Sequence, residues 1–521
     1  AAFLRLYKLG INPPSLDWDE TSLGYNAYSI LKTGKDEFGR QWPISIRSFE
    51  DYKPAFYAYA TIPAVAIFGL NEFAIRLPSA IFGIATVILT YFLINNIFGK
   101  KVGLLGTLLL AISPWHLQFS RVAFEANVGL FWVTAGIYFF MKARADGKWY
   151  LLSALCFVCS FYSYHSPRLV VPVLLLGWTI IFRKEIWRWR IWVICSLLLG
   201  GLLLIPFISE MWDLGRARFS SVTVLTPESR LDESIKRIEF DQSNNDLIGT
   251  IIHNRRVVYS IAILKGYLDH FNLDFLFLTG DAPLRHHAQD MGMLYLWEAP
   301  FVFLGILTLI KRKFIYLLWW LFVAPVASAL TTGTPHAVRA LTYLPLYQLF
   351  TAIGLIIFWK NLYGYRRQNY IKPLIMLITC ILVTTNIFYY LDMYYIHTPV
   401  ESAKDWQYGY KQAIAIAKQY ENQVDKIILT YMYDQPHVYV LFYNQIDPVW
   451  YQTQQKKGQE VKRFERDFGK YEFRNIDWDK DKQITNVLFI ATPGEISEDV
   501  PGLVATINFP DGSVALRLVR R

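Results

Sequence analysis

Stretches of about twenty apolar residues, the length that crosses a bilayer as a helix, recur along the first three quarters of the chain. In hydrocarbon every backbone polar group needs an internal partner, so runs of this length are read as helices. They fall at about 76–97, 102–118, 124–142, 149–166, 168–183, 190–208, 293–310, 314–331, 339–359 and 373–391. The chain opens on AAFLRLYKLG, which reads as the tail of one more span. The expectation is an all-α polytopic membrane protein with about ten complete spans plus a truncated first one. The four cysteines, Cys156, Cys159, Cys195 and Cys380, all sit inside apolar runs and read as packing residues rather than a disulfide framework.

The connections between runs orient the bundle. Alternate ones carry Lys100 and Lys101; Lys142, Arg144 and Lys148; Arg183, Lys184, Arg188 and Arg190; Lys311, Arg312 and Lys313; and Lys360, Arg366, Arg367 and Lys372. These sixteen basic residues face only two acids, Asp146 and Glu185, so the positive-inside rule places these loops in the cytoplasm. They account for more than the whole formal net charge of +10, which is therefore no footprint of a nucleic-acid binder. The charged fraction of 18% is also well short of the roughly one quarter usual for a soluble domain.

The opposite face of the membrane receives residues 11–75, 209–292, short turns near 119–123, 167 and 332–338, and everything after 392. Residues 11–75 are semi-polar and aromatic, as expected of short interfacial helices. Residues 392–521 hold 16 Lys/Arg and 18 Asp/Glu without a spanning run. There SAKDWQYGYKQAIAIAKQY has a helical period, KIILTYMY and NVLFIAT read as buried strands, and ATINFPDGSVALRLV reads as a hairpin turning at Asp511-Gly512. The organisation expected is a transmembrane module over 1–391, with outer loops 11–75 and 209–292, and a small extracytoplasmic α/β domain over 392–521.

The residues with chemical potential gather on the outer side. Asp17-Trp18-Asp19-Glu20 places three carboxylates at the membrane edge, where low dielectric raises a carboxylate's pKa and suits it to accept a proton. The blander reading is that Asp19 or Glu20 favours the first turn of a helix beginning near Thr21. Glu125 opens a span on the same side, either as a functional acid or as a partner of the helix dipole and Arg121. Lys53, in Asp51-Tyr52-Lys53-Pro54, either snorkels to lipid phosphates or binds one specific phosphate. His165 and Arg168 in YHSPR, Arg285, His286 and His287 in GDAPLRHH, and His336 and Arg339 in TPHAVRA are further outer-edge cations. Each alone reads as a membrane anchor; together they suit an anionic ligand, because Arg binds phosphate bidentately. The pair His286-His287 suggests a metal but has no third ligand in view, so no metal or other cofactor is indicated. There is no Walker loop, HExxH, GxSxG elbow or Rossmann fingerprint, so nucleotide chemistry is not indicated.

These motifs, in this order, resemble the membrane-embedded GT-C glycosyltransferases of the protein O-mannosyltransferase and aminoarabinose-transferase type, the bacterial dolichyl-phosphate-mannose-protein mannosyltransferase-like family. Asp19-Glu20 looks like the acid pair of the family's first outer loop. Lys53-Pro54-Ala55-Phe56-Tyr57 looks like its KPP(L)Y motif, with Ala55 in place of the second proline. FGLNEFAIRLPSAIFG (68–83) is similar to its RLPSA entry into the next span, and Glu125 stands where the family has a second acid, commonly Asp. The resemblance covers roughly the first 170 residues well. It implies a sugar donor on a polyprenyl phosphate, a lipid-bilayer setting in the cytoplasmic membrane, an inverting transfer on the outer face, and an acceptor (protein, lipid or glycan) that it does not name. It implies catalytic roles for Asp19, Glu20 and Glu125, with donor-phosphate contacts from Lys53, Arg121, His165, Arg168, Arg285, His286, His336 and Arg339. The competing classes are a secondary transporter, which would favour internal repeats and charges near the bilayer midplane, and an assembly protein whose outer domain binds a partner.

Overall fold

The computed structural model describes residues 1–49, 51–223, 230–364, 371–454 and 466–521; the expected cytoplasmic cations Arg366 and Arg367 lie outside them. The described chain forms two compact units. One joins residues 1–84, 119–125 and 389–521; the other joins 85–118 and 126–388.

In the first unit, Asp17 caps the helix Trp18–Thr33. Its carboxylate accepts the Glu20 amide at 2.8 Å while the Glu20 carboxylate accepts the Asp17 amide at 3.3 Å, a reciprocal box that satisfies two otherwise orphaned donors. The helix thus starts at Trp18, three residues before the expected Thr21, and Asp17 rather than Asp19 or Glu20 is its cap. It ends at Gly34, whose φ of +69° is the left-handed stop that glycine adopts without a Cβ penalty. Interfacial helices alone were expected over 11–75. Between the helices Trp18–Thr33 and Phe56–Phe68 the structure instead places an antiparallel hairpin, β1 (Ser45–Ser48) and β2 (Asp51–Pro54), with Ile46 opposite Lys53.

The C-terminal strands are β3 (Lys426–Leu429), β4 (Tyr471–Phe473), β5 (Val487–Ala491), β6 (Leu503–Asn508) and β7 (Val514–Arg520). They form one mixed sheet in the order β4-β3-β5-β7-β6, with β3 parallel to both β4 and β5. The hairpin β6–β7 turns about Gly512 at φ +88°, as expected from Asp511-Gly512. Ile428, Phe489, Ile496 and Val519 fill its core. This α/β region does not stand apart at residue 392. The helix Pro436–Tyr443 packs on Trp18–Thr33 so closely that a Cβ at Gly24 would come within 2.9 Å of Phe442. The Tyr439 hydroxyl donates to Leu16 O at 3.1 Å and the Tyr25 hydroxyl to Ile446 O at 3.1 Å. The soluble composition of 392–521 marks where apolar runs stop, but long-range packing joins the region to residues 11–75.

The second unit is helical. A helix stands at each of the ten expected spans, among them Glu72–Phe98, Glu125–Ala143, Arg190–Val222, Leu346–Gly364 and Ile371–Asp392. Four described stretches are long and apolar enough to cross a membrane on length and composition: Glu72–Phe98, Arg190–Glu210, Leu341–Leu362 and Lys372–Glu401. Others, such as Trp149–Ser163, rise only about 22 Å and rely on flanking turns to cover a core of about 30 Å. The helices Ala299–Lys311 and Leu346–Gly364 meet through reciprocal glycines: a Cβ at Gly305 would lie 2.1 Å from Phe350 O, and one at Gly354 2.0 Å from Phe301 O. Small residues permit such backbone approach where water supplies no drive for association. Leu197, Leu198, Leu202 and Ile205 on Arg190–Val222 are exposed, an apolar stripe suited to lipid. The two acids among the basic loops pair locally, Asp146 with Lys148 (2.9 Å) and Glu185 with Arg144 (3.3 Å).

Candidate active site

Asp19 and Glu20 are successive residues in the first turn of a helix, so their side chains leave the axis about 100° apart and enter different surroundings. Glu20 points inward and is fully buried. Its two oxygens receive Arg76 Nε and Nη2, each at 2.9 Å, in a bidentate pair. The same carboxylate accepts the amide of Ala123 at 2.8 Å. Arg76 in turn donates to Leu9 O (3.3 Å), Pro13 O (2.9 Å) and Ser15 O (2.6 Å). One guanidinium therefore ties the incoming chain, the first helix and segment 119–125 together.

Arg121 makes a second clamp of this kind. It donates to Leu4 O (2.8 Å), Asn12 O (3.1 Å) and the Tyr394 hydroxyl (3.0 Å), and stacks over Tyr394 and Tyr395 with 5.4 and 5.2 Å to the ring centroids. With the Ser79 hydroxyl donating to Phe119 O (2.8 Å), these bonds fix the segment that ends in Glu125.

Asp19 points to the hairpin instead. Lys53 on β2 donates its ammonium to Asp19 Oδ1. The lysine side chain is 11% exposed and the aspartate side chain 32%, so the acid remains open to an incoming group. Burial works against the ammonium, but the carboxylates of Asp19 and then Glu125 outweigh it and hold the Lys53 pKa above its ordinary value. Lys53 is thus a permanent cation facing two acids. Asp19, Lys53 and Glu125, far apart in sequence, act on one another in one compact unit.

The other predicted cations lie in the second unit, and each has partners there. Arg168 Nη1 meets His165 Nδ1 at 2.6 Å, and Arg168 Nε donates to Phe161 O at 3.1 Å. Arg339 donates to Thr331 Oγ1 (2.7 Å) and Thr332 O (2.9 Å). The backbone carbonyl of Arg285 accepts from Gln118 Nε2 at 2.6 Å. His286 Nδ1 lies 2.6 Å from Asp281 Oδ2, and the His286 and His336 rings stand 5.0 Å apart. Sequence reading missed two partners that organise these sites, Arg76 and Asp281. Arg76 did carry a signal, as a lone charge inside the apolar entry to a span. Asp281 sits in the quoted GDAPLRHH, but nothing in sequence brings His336 to it.

Comparison with solved structures shows a shared fold over nearly the whole chain. ArnT from Cupriavidus metallidurans in its apo state is similar at TM-score 0.55 and 12% identity, with 99% of this chain and 95% of that chain covered. The same protein bound to undecaprenyl phosphate gives 0.56 at 11% identity, covering 99% and 96%. The Archaeoglobus fulgidus oligosaccharyltransferase tethered to an acceptor peptide gives 0.52 at 12% identity, covering 99% and 72%. This chain therefore shares the fold of ArnT and of that oligosaccharyltransferase.

Within it, residues 52–212 match the family described as dolichyl-phosphate-mannose-protein mannosyltransferase. YkcB of Bacillus subtilis (strain 168), a mannosyltransferase by name, is 31% identical over 108 residues, a match that spans 21% of this chain and 15% of the relative. The matched segment begins one residue before Lys53 and takes in Arg76, Arg121 and Glu125.

Proposed function

We propose that the protein transfers a sugar from a polyprenyl-phosphate donor to an acceptor on the outer face of the cytoplasmic membrane, with inversion at the anomeric carbon and Asp19 as general base. The observation that carries this reading is the contact between Asp19 and Lys53, a partly open carboxylate against a buried, permanently charged ammonium.

Each partner meets one need of the reaction. The acceptor's O–H or N–H must lose a proton as its oxygen or nitrogen attacks the anomeric carbon, and a positioned carboxylate takes it. The bond from that carbon to the phosphate oxygen breaks, and the polyprenyl phosphate leaves with a negative charge that an ammonium stabilises. In the resting protein the two groups neutralise each other. A donor phosphate would become the new partner of Lys53 and free Asp19 Oδ1 to accept the proton. Glu125, whose field also reaches Lys53, is assigned to sugar hydroxyls or to orienting the donor. Glu20 and Arg121 have their polar atoms engaged by the fold, and we assign them to positioning. The donor assignment is supported by the ArnT relative bound to undecaprenyl phosphate and by the mannosyltransferase-family match over 52–212.

Mass spectrometry of membrane lipids and surface glycans tests the reading in cells with and without the protein. The expected result is a build-up of one polyprenyl-phosphate sugar and loss of one glycan mass on removal, both reversed by wild type and not by Asp19→Asn. Unchanged lipid and glycan profiles would overturn it.

A further inference from the structure

Asp281, His286 and His336 converge in the second unit from two segments about fifty residues apart, and each offers a ligand atom within 4.8 Å of the others. We propose that these three residues form a binding site for a divalent transition-metal ion of the zinc type. The proposal stands apart from the Asp19–Lys53 chemistry and needs no part of it.

Three features of the hydrogen bonding support it. First, Asp281 is buried, and its Oδ2 already receives the amide of Ala337 at 2.8 Å as well as His286 Nδ1 at 2.6 Å. Its Oδ1 is buried without a hydrogen-bond partner among the described residues, and so is His336 Nδ1. Two buried polar atoms left unmatched in one cluster call for a partner. Second, His286 Nδ1 and the Asp281 carboxylate already face each other, so an ion held between them would take both as ligands in place of the proton they share. Third, the surroundings hold His336 in place from behind. Its backbone amide donates to His270 Nε2 at 3.1 Å, which also faces Ser328 Oγ at 2.8 Å, while His270 Nδ1 lies 2.7 Å from Gly266 O. His270 is thereby fixed as the neutral Nδ1–H tautomer and is a support, not a ligand.

His287 is excluded by the same reasoning. Both its ring nitrogens face carbonyls, Ala288 O at 2.8 Å and Asp281 O at 2.7 Å. The ligand set is therefore not the adjacent pair His286-His287 but His286 with Asp281 and His336. Two imidazoles and one carboxylate, with positions left for water or a further ligand, suit zinc and its first-row neighbours. Small side-chain rotations close the present spread to the roughly 3.3 Å between ligand atoms of a tetrahedral site with bonds near 2.0–2.1 Å.

The test uses the full chain in detergent, stripped with a chelator and titrated with Zn²⁺ and, separately, Co²⁺. The expected result is one equivalent bound, a Co²⁺ d–d spectrum of a nitrogen–oxygen site, and at least a tenfold weaker affinity in His336→Ala and in Asp281→Asn. His287→Gln should keep the wild-type stoichiometry. Where a substitution abolishes folding, the wild-type Co²⁺ spectrum decides alone. Absence of stoichiometric binding by the wild type, or full affinity in folded His336→Ala, would overturn the proposal and leave an Asp–His hydrogen bond of purely structural use.

Discussion

Two neighbouring carboxylates in one helical turn lead opposite lives. Glu20 is sealed, with a guanidinium on both oxygens and a backbone amide besides. Asp19 is one residue away, a third exposed, with the Lys53 ammonium on its Oδ1. The first arrangement resists change, because removing either partner strands a buried charge. The second is open to exchange, because an incoming anion can compete with Asp19 for the lysine. The helix phase alone separates the two, so an acid pair in sequence need not mean two catalytic acids.

The strongest way to break this comparison is to neutralise each acid in turn. Asp19→Asn should lower sugar transfer by about 10²–10⁴-fold, the usual worth of a positioned base, with melting temperature nearly unchanged. Glu20→Ala should behave in the reverse sense and destabilise the protein by about 3–5 kcal/mol, read as a fall in thermal midpoint and in yield of folded protein. If Glu20→Ala kept its stability, or Asp19→Asn lost it, the division of labour would be wrong.

Glu37 sharpens the contrast, being buried like Glu20 but with an amide as its hydrogen-bond partner, Asn26 Nδ2 at 2.9 Å. Burial pushes its pKa up to about 7 from an ordinary 4.5, with Asn26 only partly offsetting it. Between those values the folded state keeps a proton that the unfolded state has released. Stability from this group therefore falls as pH rises from about 4.5 to about 7, and the full cost, up to about 3 kcal/mol, is present above that. Glu37→Gln should flatten this slope and raise the thermal midpoint above pH 7; a steeper slope in the variant would contradict the assignment.

The smallest effect expected is at Lys53. Lys53→Met should weaken donor use by roughly 1.5–3 kcal/mol, the worth of a charged hydrogen bond, mainly as a higher KM for the lipid donor. A change confined to stability would return Lys53 to the role of a structural ion-pair partner.

Much of this molecule was legible in sequence wherever the signal is local. Ten apolar runs each hold a helix, Asp511-Gly512 turns the last hairpin, and KIIL and VLFIA are strands. What escaped depends on distance along the chain. The hairpin that presents Lys53 is too short and polar to show an alternating pattern. The union of 392–521 with residues 11–75 rests on Gly24 against Phe442 and on tyrosine hydroxyls reaching across some 420 residues. Among the candidate residues, Asp19, Lys53 and Glu125 stand out in sequence by motif and expected membrane edge. The sealed state of Glu20 was not, because its partner Arg76 is 56 residues away. Composition marks surfaces and spans, whereas it takes the fold to say which charges are already paired.

The most direct measurement follows label from a polyprenyl-phosphate sugar into lipid-free product in membranes containing wild type, Asp19→Asn or Lys53→Met. The account predicts steady transfer by wild type, at least a hundredfold loss in Asp19→Asn with donor binding retained, and recovery of Lys53→Met at high donor concentration. Transfer by Asp19→Asn at the wild-type rate would contradict it.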